Sequence, residues 1–281
     1  MLIFKTQQDL ELHLSKARQK GLKIGFVPTM GALHEGHLSL IKASKNGNEI
    51  TICSIFVNPT QFTDNKDLNN YPQPINQDLT LLEEINCDIV FVPSIKEMYP
   101  DGIDAVTLSY DIGYLDTVLE GDKRPSHFQG VTHIMSTLLK LIQPTNLYMG
   151  QKDFQQCLVV KQLIHNNNWN IQFNMMPILR EDDGLALSSR NKRLNEFERL
   201  KAGLLYQCLI SIKAKQKIQD FSILQKESTE LMERKGLIVE YIQLADAETL
   251  DLLDNFDHSR HMVALIAAQL GNVRLIDNIL L

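Results

Sequence analysis

The sequence predicts an α/β protein: a parallel sheet flanked by helices over residues 1–177, then a smaller α+β domain over 178–281. Three observations predict it. Short apolar runs rich in β-branched residues alternate with helical patterns through the first part. The pattern then changes to two amphipathic helices and three short strands. A length of 281 residues has room for one large domain and one smaller one.

The elements follow in order. "KIGFV" reads as the first strand, with a helix from about His37. "EITICSIFV" is a strand, "NQDLTLLEEI" a helix, "DIVFVP" a strand and "VTHIMSTLLKLI" a helix. "NLYMG" is a strand, "DFQQCLVVKQLIH" a helix and "IQFNMMPIL" a strand. Strands separated by helices in this way form βαβ units, which make a parallel sheet. Helices over about 195–217 and 220–235 come next, then strands at "IVEYIQLAD", "HMVALIAAQ" and "VRLIDNIL". Gly271-Asn272 fits a hairpin turn between the last two.

Composition narrows the function. With 44% hydrophobic and 22% charged residues, and no apolar run near the roughly 18 residues of a membrane helix, a globular protein without a membrane partner is expected. The start, "MLIFKTQQDLELHLSKARQKG", turns polar after four residues and lacks the apolar core of a signal peptide, so a cytoplasmic location is expected. A net charge of −6, with neither half basic, argues against nucleic acid. Cys53, Cys87, Cys157 and Cys208 form no C-x-x-C pair and read as reduced core thiols.

Ligands of parallel sheets sit beyond the carboxyl ends of strands, where helix N-termini offer free N–H groups to anions. Three polar clusters fall at such places. In "PTMGALHEGH", Gly31 lets the backbone turn close to a ligand, and His34 and His37 stand at the mouth of a helix. The H-x-x-H spacing lacks the metalloprotease arrangement, and no third metal ligand is evident. A polyphosphate loop and a plain N-capping turn both remain open for this stretch. In "GQKDFQQ", Lys152 offers a point charge for phosphate and Asp153 an acceptor for ribose, while Gln155 and Gln156 offer neutral amides. In "LSSRNKR", Ser188, Ser189 and Arg190 can wrap phosphoryl oxygens, although the same residues also suit a solvated turn.

The joint occurrence favours the ligand reading. An HxGH loop near the N-terminus and a Ser/Arg loop much later, with no P-loop between them, resemble the nucleotidyltransferase superfamily that includes class I aminoacyl-tRNA synthetases. "PTMGALHEGHLSLI", "SIFVNPTQF", "HFQGV", "GQKDFQQ" and "DGLALSSRN", in this order over about residues 23–194, are similar to the pantothenate synthetase family.

The resemblance implies a Rossmann-like domain, a homodimer, and ATP-dependent, Mg2+-requiring ligation of pantoate to β-alanine through an adenylate, with AMP and pyrophosphate released. It implies an ATP site formed by Met30, Gly31, Ala32, Leu33, His34, Glu35, Gly36 and His37. Gly150, Gln151, Lys152, Asp153, Leu179, Leu187, Ser188, Ser189 and Arg190 complete it. His34, His37, Lys152 and Arg190 are the implied catalytic groups, with His37 a candidate proton donor. Gln61, Gln156, Asn58 and Met30 are the implied substrate contacts, and Arg124 and His127 are further candidates for the pocket wall and the lid. No metal ligand is assigned. The chain departs from the family pattern at Gln151, where Glu is usual, at Gln73 and at Thr60, so no charge role is expected at 151. Rival readings are another HxGH nucleotidyltransferase, which would stop at adenylyl transfer, and a nucleotide-binding module without catalysis.

Overall fold

The computed structural model describes residues 1–105 and 109–281, except for the side chains of Asn65 and Asp104. Two compact units divide the chain: residues 1–150 with 155–176, and residues 151–154 with 177–281.

The first unit is a six-stranded parallel sheet flanked by helices. Its strands are β1 (Leu2–Phe4), β2 (Ile24–Thr29), β3 (Ile50–Ile55), β4 (Ile89–Phe91), β5 (Asn146–Gly150) and β6 (Gln172–Met176), in the order β1-β4-β3-β2-β5-β6. Its helices are α1 (Gln7–Gln19), α2 (Glu35–Gly47), α3 (Asn65–Asn69), α4 (Ile75–Glu84), α5 (Ile95–Met98), α6 (Glu120–Lys123), α7 (His127–Ile142) and α8 (Phe154–Asn166). Interior strands β3 and β4 are buried almost throughout, because helices cover both faces of a parallel sheet. Their apolar runs are therefore continuous.

The parallel α/β sheet and the smaller second domain expected from the sequence are both present. Missing from that expectation were β1, a three-residue edge strand that exists only because it pairs with β4, and the first helix, α1.

Strand order reverses between β2 and β5. From β2 the chain crosses to β3 and then β4 on one side, while β5 and β6 lie on the other. At such a switch point the loops leaving the two strands splay apart, which makes the carboxyl ends of β2 and β5 the natural ligand edge. The loops at 30–34 and after Gly150 leave from that edge.

The second unit pairs β7 (Ile238–Asp246), β8 (Leu252–Leu253), β9 (Met262–Leu270) and β10 (Val273–Leu280) in an antiparallel sheet, order β10-β9-β7-β8. Helices α9 (Glu196–Ala202), α10 (Leu204–Lys215) and α11 (Phe221–Arg234) complete it, and the Gly271-Asn272 hairpin is as expected. Central β9 is buried along nearly its whole length, against Leu205, Leu209, Ile212 and Leu224 of the helices.

The single helix expected over 195–217 is two, which meet at Gly203, where the backbone packs so close to the Asp183 carbonyl that a Cβ would lie 2.7 Å from it; Arg199 of α9 also pairs with Glu181 and Asp183. That guanidinium holds the Asp183 carboxyl below the usual carboxylate range. Residues 151–154, which the sequence assigned to the first domain, pack with the second unit. The cause is a long-range contact: the Asn278 amide donates to the carbonyls of Gln151 and Lys152.

Candidate active site

In the first unit the loop after β2 is shaped by one buried carboxylate. Asp78 of α4 accepts the Ala32 N–H at 2.9 Å and the Leu33 N–H at 2.8 Å. Gly31 has φ +79°, and a Cβ there would lie 2.9 Å from Asp78 Oδ2 and 3.0 Å from the Ile55 side chain. Thr29 Oγ1 accepts from the Gly31 N–H and donates to the Ser54 carbonyl. The loop is therefore built rather than draped, and the next residues enter α2 in one orientation.

His34 is the N-cap of α2, and its Nδ1 accepts the Gly36 N–H at 3.1 Å. His37 Nδ1 accepts the His34 N–H at 3.4 Å. Ring nitrogens that accept at Nδ1 carry their proton at Nε2 in the neutral imidazole. The capping and ligand-facing readings of "HEGH" are thus compatible. Capping uses Nδ1 of both rings, and each presents Nε2–H as a donor. The ring centroids lie 4.1 Å apart. Glu35, expected at ATP, is exposed and pairs with Lys42 at 3.6 Å.

After β3, residues Pro59–Gln61 form a 3-10 turn held by Asn58. Asn58 is 1% exposed; its amide donates to the Gly130 carbonyl (3.1 Å) and Gln61 Oε1 (3.3 Å). Its Oδ1 accepts from the Tyr99 hydroxyl (2.6 Å) and Thr60 Oγ1 (3.1 Å). With both amide protons and both lone pairs used inside the protein, the Asn58 side chain sets the turn. Thr60 finds its reason here too, as a donor to Asn58.

Gln61 donates to Met30 Sδ at 2.8 Å, which brings two of the expected substrate contacts together. The Gln61 carbonyl accepts from His127 Nδ1 at 2.6 Å, and His127 Nε2 faces Arg124 at 3.1 Å. Those two residues therefore grip the backbone of Gln61. Gly130 explains the rest of "HFQGV", since a Cβ there would sit 2.2 Å from the Thr60 carbonyl oxygen.

Gly150 ends β5, and Gln155 and Gln156 begin α8. Gln155 is buried and spans Glu120 N–H and the Leu115 and Val118 carbonyls. Gln156, one position round the helix, is half-buried and makes no side-chain hydrogen bond to the described residues.

In the second unit Lys152 is half-buried, with Nζ 3.4 Å from Asp153. Gln151 donates to Asn278 Oδ1 at 3.0 Å, so an amide at this position has a partner suited to it. Leu179 is 41% exposed, and its carbonyl accepts the Leu187 N–H, closing the 180–186 hairpin. Ser188 caps the next 3-10 turn by accepting the Arg190 N–H; Ser189 is buried and Arg190 half-buried. Arg180 binds Asp277 through both nitrogens (2.6 and 2.9 Å) and lies over the Tyr206 ring. Burial pushes the Asp277 carboxyl up, and Arg180 draws it partly back.

Sequence reasoning missed Asp78, Tyr99 and Gly130. A signal existed for two of them. Asp78 lies three residues after Ile75 and four before Leu82 on the apolar stripe of α4, and Gly130 interrupts an apolar helix. Asp78→Asn turns an NH2 group on a backbone donor and is expected to cost about 1–3 kcal/mol. Thermal melting checks this, and a wild-type melting temperature would refute the loop role.

Among the described residues no group of three His, Cys, Asp or Glu side chains could hold a metal ion, and no helix is long and apolar enough to cross a membrane.

The sequence model of the pantoate-beta-alanine ligase family matches residues 2–280. A pantothenate synthetase of Thermosipho africanus is 45% identical over 262 residues, covering 92% of each chain. One from Bacteroides thetaiotaomicron is 42% identical over 280 residues, covering 99% of this chain and 98% of that one. Among solved structures, pantothenate synthetase from Thermus thermophilus matches with TM-score 0.92 and 34% identity, covering 99% of both chains. The pantoate-beta-alanine ligase of Francisella tularensis, complexed with beta-gamma ATP and beta-alanine, matches with TM-score 0.83 and 37% identity, covering 100% of this chain and 97% of that one.

Proposed function

This chain belongs to the pantoate-beta-alanine ligase family and is an enzyme of that kind; on this premise we propose that it couples the ligation to ATP through a pantoyl adenylate. The observation that carries the proposal is the histidine pair at the mouth of α2. With Nδ1 of both rings consumed by the cap, His34 and His37 offer Nε2–H where a helix N-terminus already favours an anion.

A carboxylate and an amine do not condense at neutral pH, because oxide is a poor leaving group. In the proposed first step a pantoate carboxylate oxygen attacks the α-phosphorus in line, forming the acyl O–P bond as the α–β P–O bond breaks. Charge then collects on pyrophosphate. His34, His37, Lys152, Ser188, Ser189 and Arg190 neutralise it, with Asp153 on ribose and the backbone at Leu179 near adenine. Gln61 and Gln156 orient pantoate through uncharged amides. In the second step the β-alanine nitrogen attacks the acyl carbon, the C–O bond breaks, AMP leaves with that oxygen, and the amine gives up a proton. No nucleophilic side chain is required, so positioning dominates the rate. Mg2+ bound to ATP, a homodimer and a cytoplasmic location complete the proposal.

The test follows one oxygen. Pantoate labelled with heavy oxygen in its carboxylate should yield AMP carrying one label and unlabelled pyrophosphate, read by mass spectrometry. Unlabelled AMP, or ADP as product, would sink the adenylate route. Gln61→Ala should raise the KM for pantoate by roughly tenfold, about 1.4 kcal/mol, with ATP affinity almost unchanged. Equal loss of ATP binding by calorimetry would count against that assignment.

A further inference from the structure

Lys152 is flanked by two peptide carbonyls, those of residues 151 and 152, and both accept from a single amide. Asn278 Nδ2 lies 2.9 Å from the Gln151 oxygen and 3.1 Å from the Lys152 oxygen. Pinning both peptide planes fixes the backbone from which the lysine side chain springs. Asn278 Oδ1 is used as well, accepting from Gln151 Nε2 at 3.0 Å.

Asn278 is itself immobilised. It is 2% exposed, on β10 opposite Leu265 of β9, its N–H donates to Asp277 Oδ1 at 2.8 Å, and its carbonyl accepts from Arg180 at 3.3 Å. Asp277 and Arg180 are in turn locked by their bidentate pair. We infer that Asn278, near the end of the last strand, is a positioning residue that sets Lys152 for phosphate contact. Gln151 belongs to the same device, since an amide there matches Asn278 Oδ1, whereas a carboxylate would set acceptor against acceptor.

The inference rests on the phosphate role proposed for Lys152, and a double-mutant cycle separates the two. Asn278→Asp keeps the shape but replaces the donor by an acceptor facing two carbonyls. It is expected to lower pantoate-dependent pyrophosphate release at saturating substrate by roughly 30-fold, the scale of a sub-ångström to 1 Å misplacement of a charge-stabilising group. In a Lys152→Ala background the same change should cost less than about threefold, because the group it aims is gone. Equal losses in both backgrounds, with Lys152→Ala itself impaired, overturn the inference and leave the functional reading standing. A Lys152→Ala variant at the wild-type rate overturns both. Should Asn278→Asp not fold by circular dichroism, Gln151→Ala removes only the partner of Asn278 Oδ1. It should give a roughly threefold loss that likewise vanishes without Lys152, and a loss that persists there overturns the inference.

Discussion

His37→Ala is expected to lower pantoate-dependent pyrophosphate release by roughly 100-fold or more, about 2.7 kcal/mol of transition-state stabilisation, while leaving the protein nearly as stable as before. The asymmetry comes from the geometry of the cap. Within it His37 accepts from the His34 N–H at 3.4 Å, too long to matter much for folding, whereas its Nε2–H is the group assigned to the leaving pyrophosphate. His34→Ala provides the contrast. It removes the N-cap acceptor of the Gly36 N–H as well as a donor, so about 0.5–2 kcal/mol of stability should go along with activity. Thermal melts and single-turnover rates on both variants separate the roles. A His37→Ala enzyme that melts early but turns over at the wild-type rate would show that the pair is only a cap.

Gly130→Ala should be almost as damaging, from a residue that need not touch substrate at all. Its Cβ would sit 2.2 Å from the Thr60 oxygen, 2.5 Å from the Thr60 carbonyl carbon and 2.7 Å from the Gln61 nitrogen, all backbone atoms that cannot swing aside. Either α7 or the 59–61 turn must move. That overpacking is expected to cost about 1–3 kcal/mol of stability. The larger consequence is chemical: Gln61 is carried away from Met30, and a shift of about 1 Å lowers kcat/KM for pantoate by roughly 100-fold. ATP binding, proposed for the separately braced 30–37 loop, should stay within about twofold by calorimetry. Pantoate kinetics close to wild type in a folded Gly130→Ala variant would mean that the turn has slack and that Asn58 does not fix Gln61.

Much of this was legible in one dimension. Strands and helices alternate because a period of two and a period of 3.6 leave different apolar patterns, and those patterns depend only on neighbours along the chain. The sheet, the α2 boundary and the β9–β10 hairpin followed from local signals. The donors proposed for the site were read in the same way, because "PTMGALHEGH" and "LSSRNKR" hold them within a few positions of each other.

What one dimension does not carry is the identity of a partner far along the chain. Asp78 reaches back 46 residues to the Ala32 N–H, Asn58 reaches 72 residues to the Gly130 carbonyl, and Asn278 reaches 126 residues to the Lys152 carbonyl. Each is a buried polar group that is tolerable only when its hydrogen bonds are met, and which groups meet them depends on how the elements pack. Asn58 shows the consequence, since nothing local in "NPTQF" tells that all four hydrogen bonds of its amide are met inside the protein. The sequence by itself determined the fold class, the order of most elements and the residue types from which the site is proposed. Tertiary structure alone decided which polar residues face inward to hold that site, because hydrogen-bond satisfaction in a buried place is settled by atoms brought together across the fold.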